Sequence, residues 1–119
     1  MQLHILKSKL HRARLTECIL NYEGSIAIDQ DILDAVGIMP HEKLLIVNQS
    51  NGERIETYAI PSERGSRRFC LNGAAARRGQ PGDIITVMAF GVFDEKDAEA
   101  VVPRVAILDE TNRILESRP

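Results

Sequence analysis

Tryptophan is missing from this 119-residue chain, cysteine occurs only twice, and aromatic residues make up only 4% of the sequence. The two cysteines, Cys18 and Cys70, have no CxxC spacing, so we interpret them as buried thiols rather than as a disulfide or a metal-binding pair. The three histidines, His4, His11 and His41, fit no zinc-ligand spacing. The sequence therefore predicts no metal site.

Long apolar runs and a strong excess of charge are also missing. No stretch approaches the roughly 20 apolar residues that cross a bilayer, and residues 1–14 are interrupted by lysine, histidine and arginine. We therefore expect no membrane association and a soluble, cytoplasmic protein. The formal net charge of −2 argues against a nucleic-acid binder held by bulk electrostatics, although it leaves room for a local basic patch.

Short apolar stretches alternate with turn signals along the chain, which favours many brief strands in one domain over residues 1–119. Strands are predicted near residues 3–10, 18–20, 25–28, 43–47, 53–60, 69–71, 84–90 and 101–108, and helical segments near 31–36, 74–78 and 94–100. Asp29 and Gly37 are typical ends for the first helix, and Ser50-Asn51-Gly52 is predicted to be a tight primed hairpin turn. So many short strands favour closure into a barrel, which removes exposed sheet edges.

The dipeptide Gly24-Ser25 is the most informative feature, because a hydroxyl beside a glycine carbonyl can cut its own backbone. Glycine puts no Cβ in the path of the nucleophile, and it tolerates the strained conformations that such a reaction needs. The pair alone is weak support, since a chain of this length contains Gly-Ser by chance about half the time. The motifs around the dipeptide must therefore show whether it is a self-cleavage site.

Further motifs surround this dipeptide in a consistent order and spacing. They are Lys9-Leu10-His11-Arg12, Tyr22-Glu23-Gly24-Ser25, Ala27-Ile28-Asp29, Asn51-Gly52, Thr57-Tyr58-Ala59-Ile60, Glu63-Arg64-Gly65-Ser66, Asn72-Gly73-Ala74-Ala75-Ala76 and Pro81-Gly82-Asp83. With them the chain resembles the pyruvoyl-dependent aspartate 1-decarboxylases over nearly its whole length. The resemblance implies a mainly β fold, a double-psi β-barrel with short helices, assembled as a homotetramer whose active sites lie between neighbouring subunits.

The resemblance also implies a reaction. Ser25 attacks the Gly24 carbonyl, and the chain ends as residues 1–24 and residues 25–119, the latter beginning with a pyruvoyl group derived from Ser25. This cofactor forms a Schiff base with L-aspartate and serves as the electron sink for loss of carbon dioxide. The product is β-alanine, which feeds the biosynthesis of pantothenate and coenzyme A.

Two residues of the predicted strand 53–60 are expected to act on the substrate. Arg54 and Tyr58 share one face of the strand by its period of two, about 13 Å apart in an ideal strand. The planar guanidinium of Arg54 suits a carboxylate, and the side-chain carboxylate is favoured because binding the departing one tightly would not speed its loss. As in the family, Tyr58 is expected to protonate the carbanion.

The remaining site residues follow from the resemblance. Thr57 and Asn72 are assigned to self-cleavage, where they would stabilise the oxyanion formed on Gly24, and Thr57 also to the substrate pocket. The other substrate-binding residues are Lys9, His11, Gly73, Ala74 and Ala75. Taken without the resemblance, the basic residues near the N-terminus would be an ordinary solvated strand face and Tyr58 an ordinary half-buried aromatic.

The sequence departs from the family pattern at Asn21 and Arg77, where histidine is common, and at Ile26, which is bulkier than in some relatives. These changes affect expectations about site charge, pH response and cleavage rate rather than about the reaction. Two other functions stay open: a small β-barrel DNA-binding regulator that uses the arginines between residues 64 and 78, and an uncleaved, non-catalytic homologue. Whether cleavage needs a maturation factor is also open.

Overall fold

The protein is mainly β, and the computed structural model describes all residues from 1 to 119. The nine strands are β1 (Gln2–Arg14), β2 (Glu17–Ile19), β3 (Ser25–Asp29), β4 (Lys43–Asn48), β5 (Arg54–Ser62), β6 (Phe69–Asn72), β7 (Ile84–Asp94), β8 (Arg104–Leu108) and β9 (Ile114–Arg118). Two short α-helices, α1 (Gln30–Val36) and α2 (Glu95–Ala98), and a 3₁₀ helix (Gly73–Arg78) complete the fold. None of the three helices has the length and apolar character that a bilayer crossing requires.

All nine strands belong to one mixed sheet in the order β2-β6-β3-β5-β4-β7-β1-β8-β9. β3 runs parallel to β5 on one side and antiparallel to β6 on the other. The long β1 pairs antiparallel with β7 and parallel with β8. This curled, compact sheet with short helices confirms the predicted fold class and is consistent with a β-barrel.

The hydrophobic core lies inside the curled sheet and includes 19 buried residues. All five residues of β3 are buried, as are all four of β6. Strands buried on both faces are nearly continuous in apolar character. A polar residue in β3 or β6 is therefore enclosed by protein and must find its hydrogen-bond partners there.

Helix α1 confirms the prediction for residues 31–36. The side chain of Asp29 accepts a hydrogen bond from the backbone N–H of Asp31, which caps the helix start. The helix ends at Gly37, whose φ of 71° is left-handed and whose N–H bonds to the carbonyl of Asp34. The Asp29 carboxylate also accepts from the N–H groups of Gly65 and Arg67, so the same residue anchors the loop after β5.

The hairpin between β4 and β5 is present, but the predicted primed turn is wrong. A primed turn of type I′ needs positive φ at two successive residues, and only Gly52 has one in this loop. The loop is longer, and its side chains shape it: Asn48 Oδ1 accepts from the N–H of Ser50, and Asn51 Oδ1 accepts from that of Glu53. Local side-chain hydrogen bonds of this kind replace the tighter backbone turn.

Some strand limits also differ from those predicted. β1 extends to Arg14 because irregularities between Leu6 and Ser8 and between Leu10 and Ala13 let it stay paired with β7 while it bends. β8 begins only at Arg104, since the preceding Pro103 cannot donate a hydrogen bond to a neighbouring strand.

Candidate active site

Ser25 is the first residue of β3 and is only 1% exposed. It lies directly opposite Asn72, the last residue of β6, which is 2% exposed. Asn72 Nδ2 donates a hydrogen bond of 3.0 Å to Ser25 Oγ, and Ser25 Oγ donates one of 3.3 Å to the carbonyl of Glu23. The antiparallel pairing of β3 and β6 thus places an amide donor on the hydroxyl that follows Gly24.

The backbone of Gly73 packs closely against the segment that precedes Ser25. A Cβ on Gly73 would lie 2.8 Å from the N atom of Gly24 and 2.9 Å from the carbonyl oxygen of Tyr22. Gly73 also has a left-handed φ of 70°. Gly24 has no positive φ, and a Cβ on it would meet nothing within 4 Å. The left-handed conformation that favours glycine is therefore found at Gly73 and not at Gly24.

A cavity of about 350 Å³ opens beside Gly24. Its lining residues are Gly24, Ile55, Glu56, Thr57, Ala74, Ala75 and Arg78. Four of these, Gly24, Thr57, Ala74 and Ala75, were expected at the site from the sequence. The cavity volume and its small lining residues suit a ligand of amino-acid size.

Three lining residues were missed by the sequence analysis. Ile55 lies two residues from Thr57, so strand alternation alone could have placed both on the same face. Arg78 lies at the end of the 3₁₀ helix that begins at Gly73, and it forms an ion pair of 3.0 Å with Glu53. Glu56 carried no signal that distinguishes it from a solvated strand residue, and it pairs with a nearby lysine.

Arg54 and Tyr58 do not line this cavity. By the period of two they share the outward face of β5 with Glu56, and of these three residues only Glu56 reaches the cavity, whereas Ile55 and Thr57 reach it from the other face. Arg54 is exposed, and its guanidinium makes no hydrogen bond or ion pair within the chain. Tyr58 is half-buried, with its ring centroid 6.2 Å from that of His41.

Lys9 also lies apart from the cavity within one chain. It is opposite Met88 of β7, which is opposite Leu45 of β4. Leu45 is in turn opposite Glu56, whose side chain reaches the cavity. Three strand spacings of about 4.8 Å therefore separate the backbones of Lys9 and Glu56, roughly 14 Å in all.

His11 follows two residues later on the same face of β1. Its Nδ1 atom is buried and has no hydrogen-bond partner. Burial lowers the pKa of His11 below its ordinary value, and the positive charges of Lys9, Arg12 and Arg118 lower it further. The lowered pKa favours the neutral form of His11, so Lys9 carries the positive charge of this pair, and neither residue lines the cavity beside Gly24.

The arginines considered for DNA binding are largely engaged within the chain. Arg64 pairs with Asp31 and Asp34 at 2.8 and 2.7 Å. Arg68 pairs with Glu17 at 2.6 Å, and this hydrogen bond lowers the pKa of the Glu17 carboxyl. Charges neutralised in this way contribute less to the attraction of a phosphate backbone.

A buried serine at the start of an inner strand, held by an amide donor next to a small cavity, is an arrangement typical of a small-molecule site in a β-rich protein. Comparisons with known proteins specify which one. Residues 1–115 match the family model described as aspartate decarboxylase. The chain therefore belongs to the aspartate decarboxylase family.

Individual relatives agree with the family match over almost the full chain. The chain is 58% identical over 110 residues to an aspartate 1-decarboxylase of Geobacillus sp. (strain WCH70), an alignment that covers 92% of this chain and 87% of the relative. It is 57% identical over 112 residues to that of Anoxybacillus flavithermus and 54% identical over 112 residues to that of Shouchella clausii, in both cases covering 94% of this chain and 88% of the relative.

Proposed function

We propose that this chain is a pyruvoyl-dependent aspartate 1-decarboxylase that converts L-aspartate to β-alanine and carbon dioxide, and so provides β-alanine for pantothenate synthesis. The observation that carries the proposal is the 3.0 Å hydrogen bond from Asn72 Nδ2 to Ser25 Oγ beside the cavity at Gly24. Family membership supports the substrate and the reaction.

Self-cleavage begins at Ser25. The bond from Ser25 Oγ to the carbonyl carbon of Gly24 forms, the peptide C–N bond breaks, and the hydroxyl proton ends on the nitrogen of Ser25. Elimination then removes the α-proton of Ser25 to a base, forms the Cα=Cβ double bond of dehydroalanine, breaks the Cβ–Oγ bond and releases the Gly24 carboxylate. One water then hydrolyses the dehydroalanine to the pyruvoyl group with loss of ammonia. Thr57 and Asn72 stabilise the oxyanion on Gly24 during the first step.

The residues around Ser25 fit a pyruvoyl group. Asn72 holds a donor at this position, and Gly73 leaves no side chain where the backbone of Gly24 lies. When formed there, the pyruvoyl group supplies an electron sink for the pair of electrons left by carbon dioxide. The backbone at Gly73, Ala74 and Ala75 positions the substrate, Arg54 binds its side-chain carboxylate, and Tyr58 delivers a proton to the α-carbon.

Completion of this site requires a second subunit. Lys9, His11, Arg54 and Tyr58 face outward from the sheet, so we propose that subunits of a homotetramer bring them to a neighbour's cavity. The outward face of the sheet supports this proposal, because the side chains of Phe90 and Val92 are 43% and 54% exposed there. They line an open groove of about 500 Å³ together with Leu45 and Glu56, a surface suited to burial in an interface.

The cytoplasm is the proposed location. Cys18 and Cys70 are both free thiols, which fits a compartment that keeps cysteines reduced. No group of three or more His, Cys, Asp or Glu residues is arranged to hold a metal ion.

Intact mass tests the proposal directly. The purified protein should separate into residues 1–24 and 25–119, with the larger piece blocked at its N-terminus, whereas Ser25→Ala should stay intact. Cleavage of the purified protein without added lysate would show that no maturation factor is needed. β-Alanine release should follow cleavage, and gel filtration should give a tetramer.

Other results would favour the alternatives. A wild-type chain that stays intact and releases no β-alanine from aspartate, with and without lysate, would favour an uncleaved, non-catalytic homologue. Tight, salt-sensitive DNA binding by such a chain would favour a regulator. The ion pairs of Arg64 and Arg68 argue against that second outcome.

A further inference from the structure

We propose that Cys70 is a positioning residue for self-cleavage: its thiol donates a hydrogen bond to Asn72 and so turns the amide nitrogen of Asn72 toward Ser25. This inference rests on the proposed self-cleavage and adds a residue to it. Cys70 does not line the substrate cavity. Its thiol lies 3.2 Å from Asn72 Oδ1 and 3.9 Å from the carbonyl of Leu71, so the contact with Asn72 is the closer of the two.

The position of Cys70 follows from the alternation of β6. Cys70 and Asn72 are two residues apart, so their side chains lie on the same face of the strand. The facing strand β3 places Ala27 opposite Cys70 and Ser25 opposite Asn72. The small side chain of Ala27 leaves space in which the thiol can turn along the strand toward Asn72.

Three hydrogen bonds then run in one direction from Cys70 to the cleavage segment. Cys70 Sγ lies 3.2 Å from Asn72 Oδ1, Asn72 Nδ2 lies 3.0 Å from Ser25 Oγ, and Ser25 Oγ lies 3.3 Å from the carbonyl of Glu23. The last acceptor is a carbonyl, so the Ser25 hydroxyl donates to it and accepts from Asn72. Asn72 must then present its nitrogen to Ser25 and its oxygen to Cys70.

Ser25 constrains the nitrogen side of this amide, and Cys70 is the hydrogen-bond donor on its oxygen side. Asn72 Oδ1 has no hydrogen-bond partner besides the Cys70 thiol, and both residues are buried. Burial raises the pKa of Cys70, which keeps the sulfur protonated and able to donate. Without that donor, the buried amide oxygen would lose its hydrogen-bond partner within the chain.

Loss of the donor would affect cleavage more than folding. An amide oxygen without a partner would favour rotation of the Asn72 side chain, which would turn an acceptor instead of a donor toward Ser25. The oxyanion on Gly24 would then lose a nearby N–H group when Ser25 attacks. The strand pairing of β6 involves backbone atoms only and would stay in place.

The experiment compares residues at position 70 that can and cannot donate. Cys70→Ser keeps a hydrogen-bond donor, whereas Cys70→Ala and the larger Cys70→Val do not. Two non-donor variants are used so that the comparison can still be made if one of them does not fold. Cleavage is followed by intact mass after rapid refolding, and thermal unfolding is followed by circular dichroism. Cys18→Ala is the matched control, because this half-buried thiol makes no hydrogen bond.

The non-donors are expected to cleave about five- to tenfold more slowly than wild type, the equivalent of one lost hydrogen bond. Cys70→Ser and Cys18→Ala should cleave within about twofold of wild type. Equal rates in Cys70→Ser, Cys70→Ala and Cys70→Val would overturn the inference, as would a serine variant as slow as the alanine variant. These outcomes leave the proposed function intact, whereas a wild-type chain that never cleaves would remove both.

Discussion

Substitution of Gly73 by alanine tests how closely the start of the 3₁₀ helix supports the cleavage segment. The new Cβ would lie 2.8 Å from the N atom of Gly24, 2.9 Å from its Cα and 2.9 Å from the carbonyl oxygen of Tyr22. All three contacts are with backbone atoms, so rotation of a side chain cannot relieve them. Alanine would also have to adopt the left-handed φ of 70°.

Gly52 offers a matched control for the backbone conformation. Its φ is 78°, but a Cβ there would meet nothing within 4 Å. Gly52→Ala should therefore cost only the left-handed conformation, about 1–2 kcal/mol. Gly73→Ala should cost this amount plus the close contacts, which we expect to add about 1–3 kcal/mol by analogy with overpacked interiors.

The cost to stability is measured in the non-cleaving Ser25→Ala background, by urea unfolding followed by circular dichroism at one protein concentration. The cost to cleavage is measured with Ser25 present, by intact mass. Because displacement of a reacting group by about 1 Å can slow a reaction about 100-fold, Gly73→Ala should cleave at least about tenfold more slowly than Gly52→Ala. Equal stability and equal cleavage rates for the two variants would refute the close contact between Gly73 and the backbone of the cleavage segment.

Three further predictions concern catalysis and pH. Tyr58→Phe should cleave itself at the wild-type rate but form β-alanine at least about 100-fold more slowly, since it loses the proton donor; full turnover would remove Tyr58 from this role. Arg54→Lys should raise the KM for aspartate about tenfold or more by losing the planar fork of donors, and an unchanged KM would contradict its assignment. Arg68 lowers the pKa of Glu17, so this pair stabilises the fold above the unfolded-state pKa of Glu17, and its contribution disappears as the pH falls through the lower folded-state pKa. Glu17→Gln should therefore flatten the acid side of the stability profile in urea titrations, whereas a profile parallel to wild type would show that the pair contributes nothing.

Local sequence signals predicted much of the fold correctly. Helix α1 begins and ends at the residues that its capping pattern indicates, and strand alternation correctly separated Thr57 from Arg54 and Tyr58 on β5. The primed turn at Asn51-Gly52 was wrong because side-chain hydrogen bonds from Asn48 and Asn51 stabilise a longer loop. Those bonds depend on neighbours that the dipeptide pattern does not include.

Gly24 and Ser25 are adjacent in the chain, so the sequence alone was enough to predict a self-cleavage site there. The partner of Ser25 could not be obtained by local reasoning. Asn72 is 47 residues away and reaches Ser25 only because β3 and β6 pair in one register. The same pairing brings Gly73 against Gly24, whereas Arg54 and Tyr58 of β5 lie outside the cavity. Periodicity and capping act over a few residues, whereas strand register depends on how the whole core packs.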